Sequence, residues 1–226
     1  MATRSLPAVI AGLAVLVSAC AGGGNASTGT GDPAPGNPAT SKSGPKYTAF
    51  PDFPGQALVT TEPGAPVGIQ VKPIDVVWTP ELAGKSAQPG EHYLAVYVAV
   101  TGELADRGVR GARLDFLQAK FKLGKGTCDE YSTGTPDFCF RKANPATGLE
   151  GEIADNTWRS RTWSAVGITR TDVKAGETLI GVVGFHIADD ADIVGSMELC
   201  GPTKERVYDS DRFPCVGIPK PEGARS

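Results

Sequence analysis

From residue 47 onward the chain consists of short apolar runs separated by glycine and proline, and this pattern restricts the fold more than any other feature. No stretch has the long period of an amphipathic helix, so the pattern predicts an all-β sandwich or barrel. The clearest run is residues 93–101, in which apolar side chains alternate on both faces: Leu94, Val96, Val98 and Val100 on one, and Tyr93, Ala95, Tyr97 and Ala99 on the other. Because both faces are apolar, this strand is expected to be central.

Seven segments have the length and composition of strands, a number typical of a β-sandwich. Residues 114–123 also fit helical spacing, since Leu, Gln, Ala and Lys form helices well, but flanking glycines favour a strand. Residues 142–156, which contain Pro145, Gly148 and Gly151, are expected to form an irregular surface loop. The predicted strands are residues 57–61, 67–79, 93–101, 114–123, 162–169, 178–187 and 194–199.

An apolar segment near the N-terminus ends at a cysteine. Arg4 provides a short positive region, residues 6–17 are largely apolar, and residues 17–20 read Val-Ser-Ala-Cys. The segment is shorter than the roughly 20 residues that span a bilayer, so it has the layout of an export signal. The four residues resemble a bacterial lipobox, which implies removal of residues 1–19 and acylation of Cys20. The alternatives are an uncleaved apolar anchor and an ordinary signal peptide with a chance cysteine.

Residues 20–46 are predicted to be the lipidated cysteine and a disordered tether. From residue 21 the only hydrophobic side chains are alanines, and nearly all other residues are Gly, Ser, Thr, Pro, Asn or Asp. Such a segment buries too little apolar surface to offset its conformational entropy. As a flexible coil it would span about 25–30 Å, enough to hold a domain away from lipid headgroups.

Four cysteines remain for the domain of residues 47–226 if Cys20 carries lipid. An even number in an exported chain indicates disulfides, and four cysteines permit three pairings. We favour the local pairs, Cys128 with Cys139 and Cys200 with Cys215, each of which closes a short loop worth about 3 kcal/mol. A zinc site is less favoured because the chain has no Cys-x-x-Cys motif.

The sequence contains no convincing catalytic constellation, so we expect no enzymatic activity, cofactor or metal ligand. There is no Gly-x-Ser-x-Gly or His-Glu-x-x-His motif, and the two histidines, His92 and His186, are expected at a strand entrance and on a strand surface. Gly84-Lys85-Ser86 lacks the first glycine of a phosphate-binding loop.

Charged clusters have simple structural explanations. The aspartates at 189, 190 and 192, and at 209 and 211, could offer oxygen ligands to calcium but do not match the spacing of a calcium-binding loop, so solvated turns are favoured. Residues 106–125 carry net positive charge, which could contact anionic lipid or an acidic glycan; a charge-balanced surface explains it equally well. The whole chain has a net charge of -3, so nucleic acid is not an expected partner.

Three segments together resemble a known family. Residues 93–101, residues 113–126 and the sequence Gly-Glu-Thr-Leu-Ile-Gly-Val-Val-Gly-Phe at 176–185 are similar to the DUF4352 and MPT63-type immunoglobulin-like domains of exported actinobacterial proteins. The resemblance covers about residues 67–199. It implies an immunoglobulin-like antiparallel β-sandwich in a lipoprotein or secreted protein with no established enzymatic role. The chain departs from the family at Thr101-Gly102 and in its cysteine loops, and no functional residue is carried over.

These observations together predict a lipid-anchored protein on the extracytoplasmic face of the cell membrane. Its sandwich would act as a binding module for an envelope or extracellular protein or a small molecule. The alternative is a carrier that encloses a lipid or another small apolar molecule in a sandwich or barrel cavity.

Overall fold

The computed structural model describes residues 47–128, 133–135, 137–151, 157–165 and 169–221. Within these residues the chain forms strands and three short 3₁₀ turns, at Phe50–Asp52, Trp158–Ser160 and Ser210–Arg212. In chain order the strands are β1 (Leu58–Thr60), β2 (Ile69–Thr79), β3 (Glu81–Leu82), β4 (Lys85–Ser86), β5 (Glu91–Gly102), β6 (Val109–Ala112), β7 (Gln118–Leu123), β8 (Thr133–Gly134), β9 (Cys139–Lys142), β10 (Thr171–Val173), β11 (Leu179–Ala188), β12 (Ile193–Cys200) and β13 (Cys215–Gly217).

The strands form two main antiparallel sheets that pack as a sandwich, which confirms the predicted all-β class. The first sheet has the order β1-β2-β5-β11, and the second has the order β13-β12-β7-β9-β8. Two short pairs, β3 with β4 and β6 with β10, lie outside these sheets. The predicted signal peptide and tether fall on residues 1–46, which lie outside the described residues.

Strand β5 is central, as its two apolar faces predict. It pairs with β2 on one side and with β11 on the other. The side chains of its inner face are fully buried against the second sheet; they are those at alternate positions from Leu94 to Val100. Its outer face belongs to a separate apolar cluster, in which the side chains of Phe50, Phe53, Trp158 and Trp163 cover the sheet. Both faces of the strand therefore lie in hydrophobic cores.

The two sheets are joined along both edges by segments outside the strands. On one edge, backbone hydrogen bonds of 2.8–3.0 Å connect the amides of Asn144, Thr147 and Glu150 to carbonyl groups of β11. On the other edge, the amide of Thr61 donates to the carbonyl of Pro202 at 2.9 Å. These contacts occupy edges that would otherwise expose unpaired backbone groups.

The first of these contacts corrects the prediction of an irregular surface loop at residues 142–156. Residues 143–150 extend along β11, and the side chains of Thr147 and Leu149 are 1% and 6% exposed. The segment resembles a loop in sequence because it contains glycine and proline, but its backbone amides are hydrogen bonded to carbonyl groups of the neighbouring strand β11. Residues 152–156 lie outside the described residues.

Two predicted strands differ from the structure. In the segment 114–123 only Gln118–Leu123 is a strand, because Leu114 and Leu117 form a turn closed by a 3.1 Å backbone hydrogen bond. The strand predicted at 162–169 is wrong for residues 162–165, which adopt no strand although Trp163 is buried. Residues 166–168 lie outside the described residues. The short strands β6, β9, β10 and β13 were not predicted from the sequence.

The four cysteines of the domain form the predicted local disulfides. Cys128 is bonded to Cys139, with Cα atoms 5.5 Å apart, and Cys200 is bonded to Cys215, with Cα atoms 4.1 Å apart. The second bond joins directly paired residues of β12 and β13. The disulfides thus attach β9 and β13 covalently to neighbouring parts of the fold.

Candidate functional site

Cys20 and its lipobox lie outside the described residues, so acylation remains a prediction. No helix in the described part of the chain is long and apolar enough to cross a membrane.

Both histidines lie at the same end of the β5–β11 pair, and each contacts a carboxylate. His92 Nδ1 lies 2.5 Å from Asp189 Oδ1, and His186 Nδ1 lies 3.0 Å from Glu91 Oε2. No serine, threonine or cysteine side chain in the described ranges is hydrogen bonded to either ring. Both pairs therefore link β5 to β11 or to the residue that follows it.

Some residues of the other charged clusters form ion pairs. In the basic segment, Arg113 contacts Glu62 at 2.8 Å, and Lys120 contacts Glu198 at 2.8 Å. Among the acidic residues considered as calcium ligands, Asp189 contacts His92 through its carboxylate. Across the described residues there is no group of three or more His, Cys, Asp or Glu side chains placed to hold a metal ion.

A polar anchor on the outer face of the first sheet holds the turn Trp158–Ser160. The Asp75 carboxylate accepts a 2.8 Å hydrogen bond from Trp158 Nε1 and two 2.5 Å hydrogen bonds from the Arg159 guanidinium. Trp163 Nε1 in turn donates to the backbone carbonyl of Trp158 at 2.8 Å. Burial raises the pKa of Asp75, but the hydrogen bonds from Arg159 and Trp158 outweigh burial and hold that pKa below its ordinary value.

Next to this anchor lies an open groove of about 430 Å³, which we call the Tyr97 groove. The rings of Tyr97 and Trp163, with centroids 6.5 Å apart, contribute its aromatic lining. Arg159, Arg161 and Glu81 supply charged groups. The groove therefore combines apolar surface with a few polar groups, the usual composition of a small-molecule site.

Tyr97 is the most unusual residue in the groove. The residue is only 6% exposed, and its side chain lines the groove. Burial, helped by the negative charge of Asp75, raises the pKa of Tyr97, while Arg159 opposes the shift. The hydroxyl is therefore neutral near pH 7.

A second open groove, which we call the His186 groove, has a volume of about 780 Å³. It lies at the histidine end of the β5–β11 pair. Its polar groups include the Glu91–His186 pair, Lys142, Asn144 and Gln88, and Phe140 adds apolar lining. Glu91 and His186 contact each other within this groove, and the buried side chain of Arg141 also lines it.

Sequence reasoning did not find the Tyr97 groove. Its lining comes from strands β2 and β5, the β3–β4 hairpin and the segment after Trp158, which are distant in sequence. One signal was available: Asp75 places a carboxylate within a predicted apolar strand, and Tyr97 is its partner across the strands. A charge at such a position indicates a buried polar contact.

The fold and the two disulfides define a disulfide-bonded antiparallel β-sandwich protein with an open groove on the outer face of its first sheet. Comparisons with family models, curated proteins and solved structures found no match for the chain.

Proposed function

We propose that this protein is a lipid-anchored binding module on the extracytoplasmic face of the cell membrane. The observation that carries the proposal is the Val-Ser-Ala-Cys sequence that ends at Cys20 behind a short apolar segment. Acylation there would provide durable membrane attachment, and the low-complexity residues that follow would hold the domain about 25–30 Å from it.

The disulfides support an extracytoplasmic location. Structural disulfides persist in oxidising compartments and are rare in the reducing cytosol. Both bonds lie in the domain that begins after the predicted tether. Export would thus account for their presence and for the signal-like N-terminus together.

A binding role, with no enzymatic one, is supported by the arrangement of the polar groups. The histidines are engaged by Asp189 and Glu91, whereas the Tyr97 groove is open and is lined by aromatic, aliphatic and charged side chains. The resemblance to DUF4352 and MPT63-type domains belongs to the same proposal, and the antiparallel sandwich supports it. The net charge of -3 favours a protein or small molecule over nucleic acid as the partner.

The alternative of an internal carrier has less support. The space between the sheets is filled by side chains that are fully buried, among them Val98, Leu117, Phe185 and Leu199. An apolar cargo enclosed there would have to displace them. Mass spectrometry of the purified protein tests this alternative, since a carrier would retain a stoichiometric lipid.

The anchor is tested by replacing Cys20 with alanine. We expect Cys20→Ala to abolish metabolic labelling with palmitate and to move the protein out of the membrane fraction. Ser18→Ala is the matched control, because it alters the same segment but keeps a small residue and the cysteine, and it should label like the unaltered protein. Unchanged labelling of Cys20→Ala would contradict the proposal.

A further inference from the structure

The backbone of Val59 faces outward on the edge strand β1. This strand is the terminal strand of the first sheet, and its only neighbour in that sheet is β2. The amide of Thr61 points away from β2, because it donates to the Pro202 carbonyl at 2.9 Å. Successive residues of a strand direct their backbone groups to opposite sides, so the amide and carbonyl of Val59 point the same way as the amide of Thr61. In the described part of the chain, no backbone group pairs with Val59 on this side.

The hydrogen bonds of β2 give the same direction independently. The Glu103 amide donates to the Gly68 carbonyl at 3.0 Å, so the backbone of Gly68 faces away from β1. By the same alternation the backbone of Gln70 also faces away from β1, and Gln70 is the residue directly opposite Val59. The Val59 side chain is 44% exposed. The contact with Pro202 therefore covers the edge of β1 at Thr61 but leaves it open at Val59.

An open groove of about 470 Å³ lies along this edge, and we call it the β1 groove. Leu58 and Val59 line it from β1, and Cys215 and Val216 line it from β13. A strand edge presents N–H and C=O groups at the repeat of an extended chain, and a peptide that adds as a further strand satisfies both kinds of group. The open edge therefore favours a peptide backbone as the occupant of the groove.

The charges of the β1 groove narrow the chemistry of that peptide. Glu103 and Glu205 contribute two carboxylates to the lining, and Lys204 contributes one ammonium group. The lining thus has an excess of negative charge, which favours basic side chains on the ligand. A β-branched residue beside the exposed side chain of Val59 would form a favourable cross-strand pair.

We propose that the β1 groove binds an extended basic segment of a partner protein, which adds to the edge of β1 as a strand and forms hydrogen bonds with the backbone of Val59. This inference rests on the proposed binding function and names the kind of partner. It does not depend on acylation of Cys20, which the palmitate experiment tests separately.

The test is titration of the full-length protein in detergent with the peptide Lys-Val-Thr-Val-Thr-Val-Lys, followed by calorimetry. One comparison peptide has glutamate in place of both lysines, and we expect it to bind about threefold more weakly or worse. A second carries N-methyl groups on its five inner residues, which removes its backbone donors, and we expect it to bind about tenfold more weakly or worse.

Amide hydrogen exchange, measured by NMR, locates the bound peptide. Binding of the basic peptide should slow exchange of the Val59 amide. The Thr60 amide is the internal control, because Thr60 is already paired with Ile69 of β2, and its exchange should not change.

Val59→Pro tests the same contact from the side of the protein. It removes the outward amide but no hydrogen bond to β2, and proline is tolerated at such edge positions, so the variant should fold and bind the basic peptide about three- to tenfold more weakly. Val59→Ala is the matched control, because it shortens the same side chain but keeps the amide, and it should bind more tightly than Val59→Pro. Thermal unfolding verifies that both variants are folded, and the N-methylated peptide gives the same test without any substitution.

No binding of the basic peptide, preference for the acidic peptide, equal binding of the N-methylated peptide, or unchanged exchange of the Val59 amide would each overturn the inference. Slower exchange of that amide at higher protein concentration without peptide would also overturn it, since a second copy of the chain would then occupy the edge. With normal palmitate labelling in the same protein, those outcomes would leave the anchor proposal intact.

Discussion

The carboxylate of Asp75 on β2 accepts a 2.8 Å hydrogen bond from the indole nitrogen of Trp158, and this contact attaches the turn Trp158–Ser160 to the first sheet. Trp158 is 8% exposed, so its N–H would be left buried without an acceptor if the carboxylate were removed. We expect Asp75→Ala to lower the free energy of unfolding by about 1–3 kcal/mol. Urea unfolding measures this, with Asp190→Ala, an exposed aspartate, as the control. Equal midpoints for the two variants would contradict the expectation.

The same carboxylate predicts a pH dependence of stability. The folded-state pKa of Asp75 lies below its ordinary value of 3.8, because the hydrogen bonds from Arg159 and Trp158 outweigh the effect of burial. The group therefore contributes stability above that value, and the contribution is lost as the pH falls through the folded pKa. The difference in unfolding free energy between the unaltered protein and Asp75→Asn should be constant from about pH 5 to 7 and shrink below about pH 4. A difference that grows in acid would contradict this.

The sequence predicted the centre of the fold better than its edges. The strand at 93–101 was recognised because both of its faces alternate regularly, and it became β5 between β2 and β11. Residues 143–150 were missed because their hydrogen bonds go to β11, a partner that no local pattern reveals. The predicted strand at 162–169 failed for a related reason, since Trp163 is buried by packing against the outer cluster and not by a place in a sheet.

The candidate site was harder to predict than the fold. The residues of the Tyr97 groove look like ordinary strand and loop residues along the chain, and tertiary packing alone brings them together. The disulfides were predictable because short cysteine separations favour local pairing, and both local pairs are present. The export signal at the N-terminus stays a prediction, and it rests on a linear motif that requires no folded partner.

Gly68 marks a close approach between the loop before β2 and the end of β1. A Cβ atom at this position would lie 2.5 Å from the backbone oxygen of Thr60 and 2.9 Å from the Glu103 carboxylate, which accepts the Gly68 amide hydrogen bond. Because backbone atoms cannot rotate aside, we expect Gly68→Ala to destabilise the fold by about 1–3 kcal/mol. Thermal unfolding measures the effect. Gly217→Ala, which meets no atom within 4 Å, should change stability far less.

The disulfides predict a definite thiol count. In denaturant, the Cys20→Ala chain should show no free thiol before reduction and four after it, because its remaining cysteines are all paired. Peptide mapping without reduction should find Cys128 linked to Cys139 and Cys200 linked to Cys215. Replacing Cys200 and Cys215 together by alanine should lower stability by about 3 kcal/mol, since the bond closes a loop of 15 residues. Free thiols before reduction, or crossed peptides, would contradict the local pairing and remove the support that the disulfides give to export.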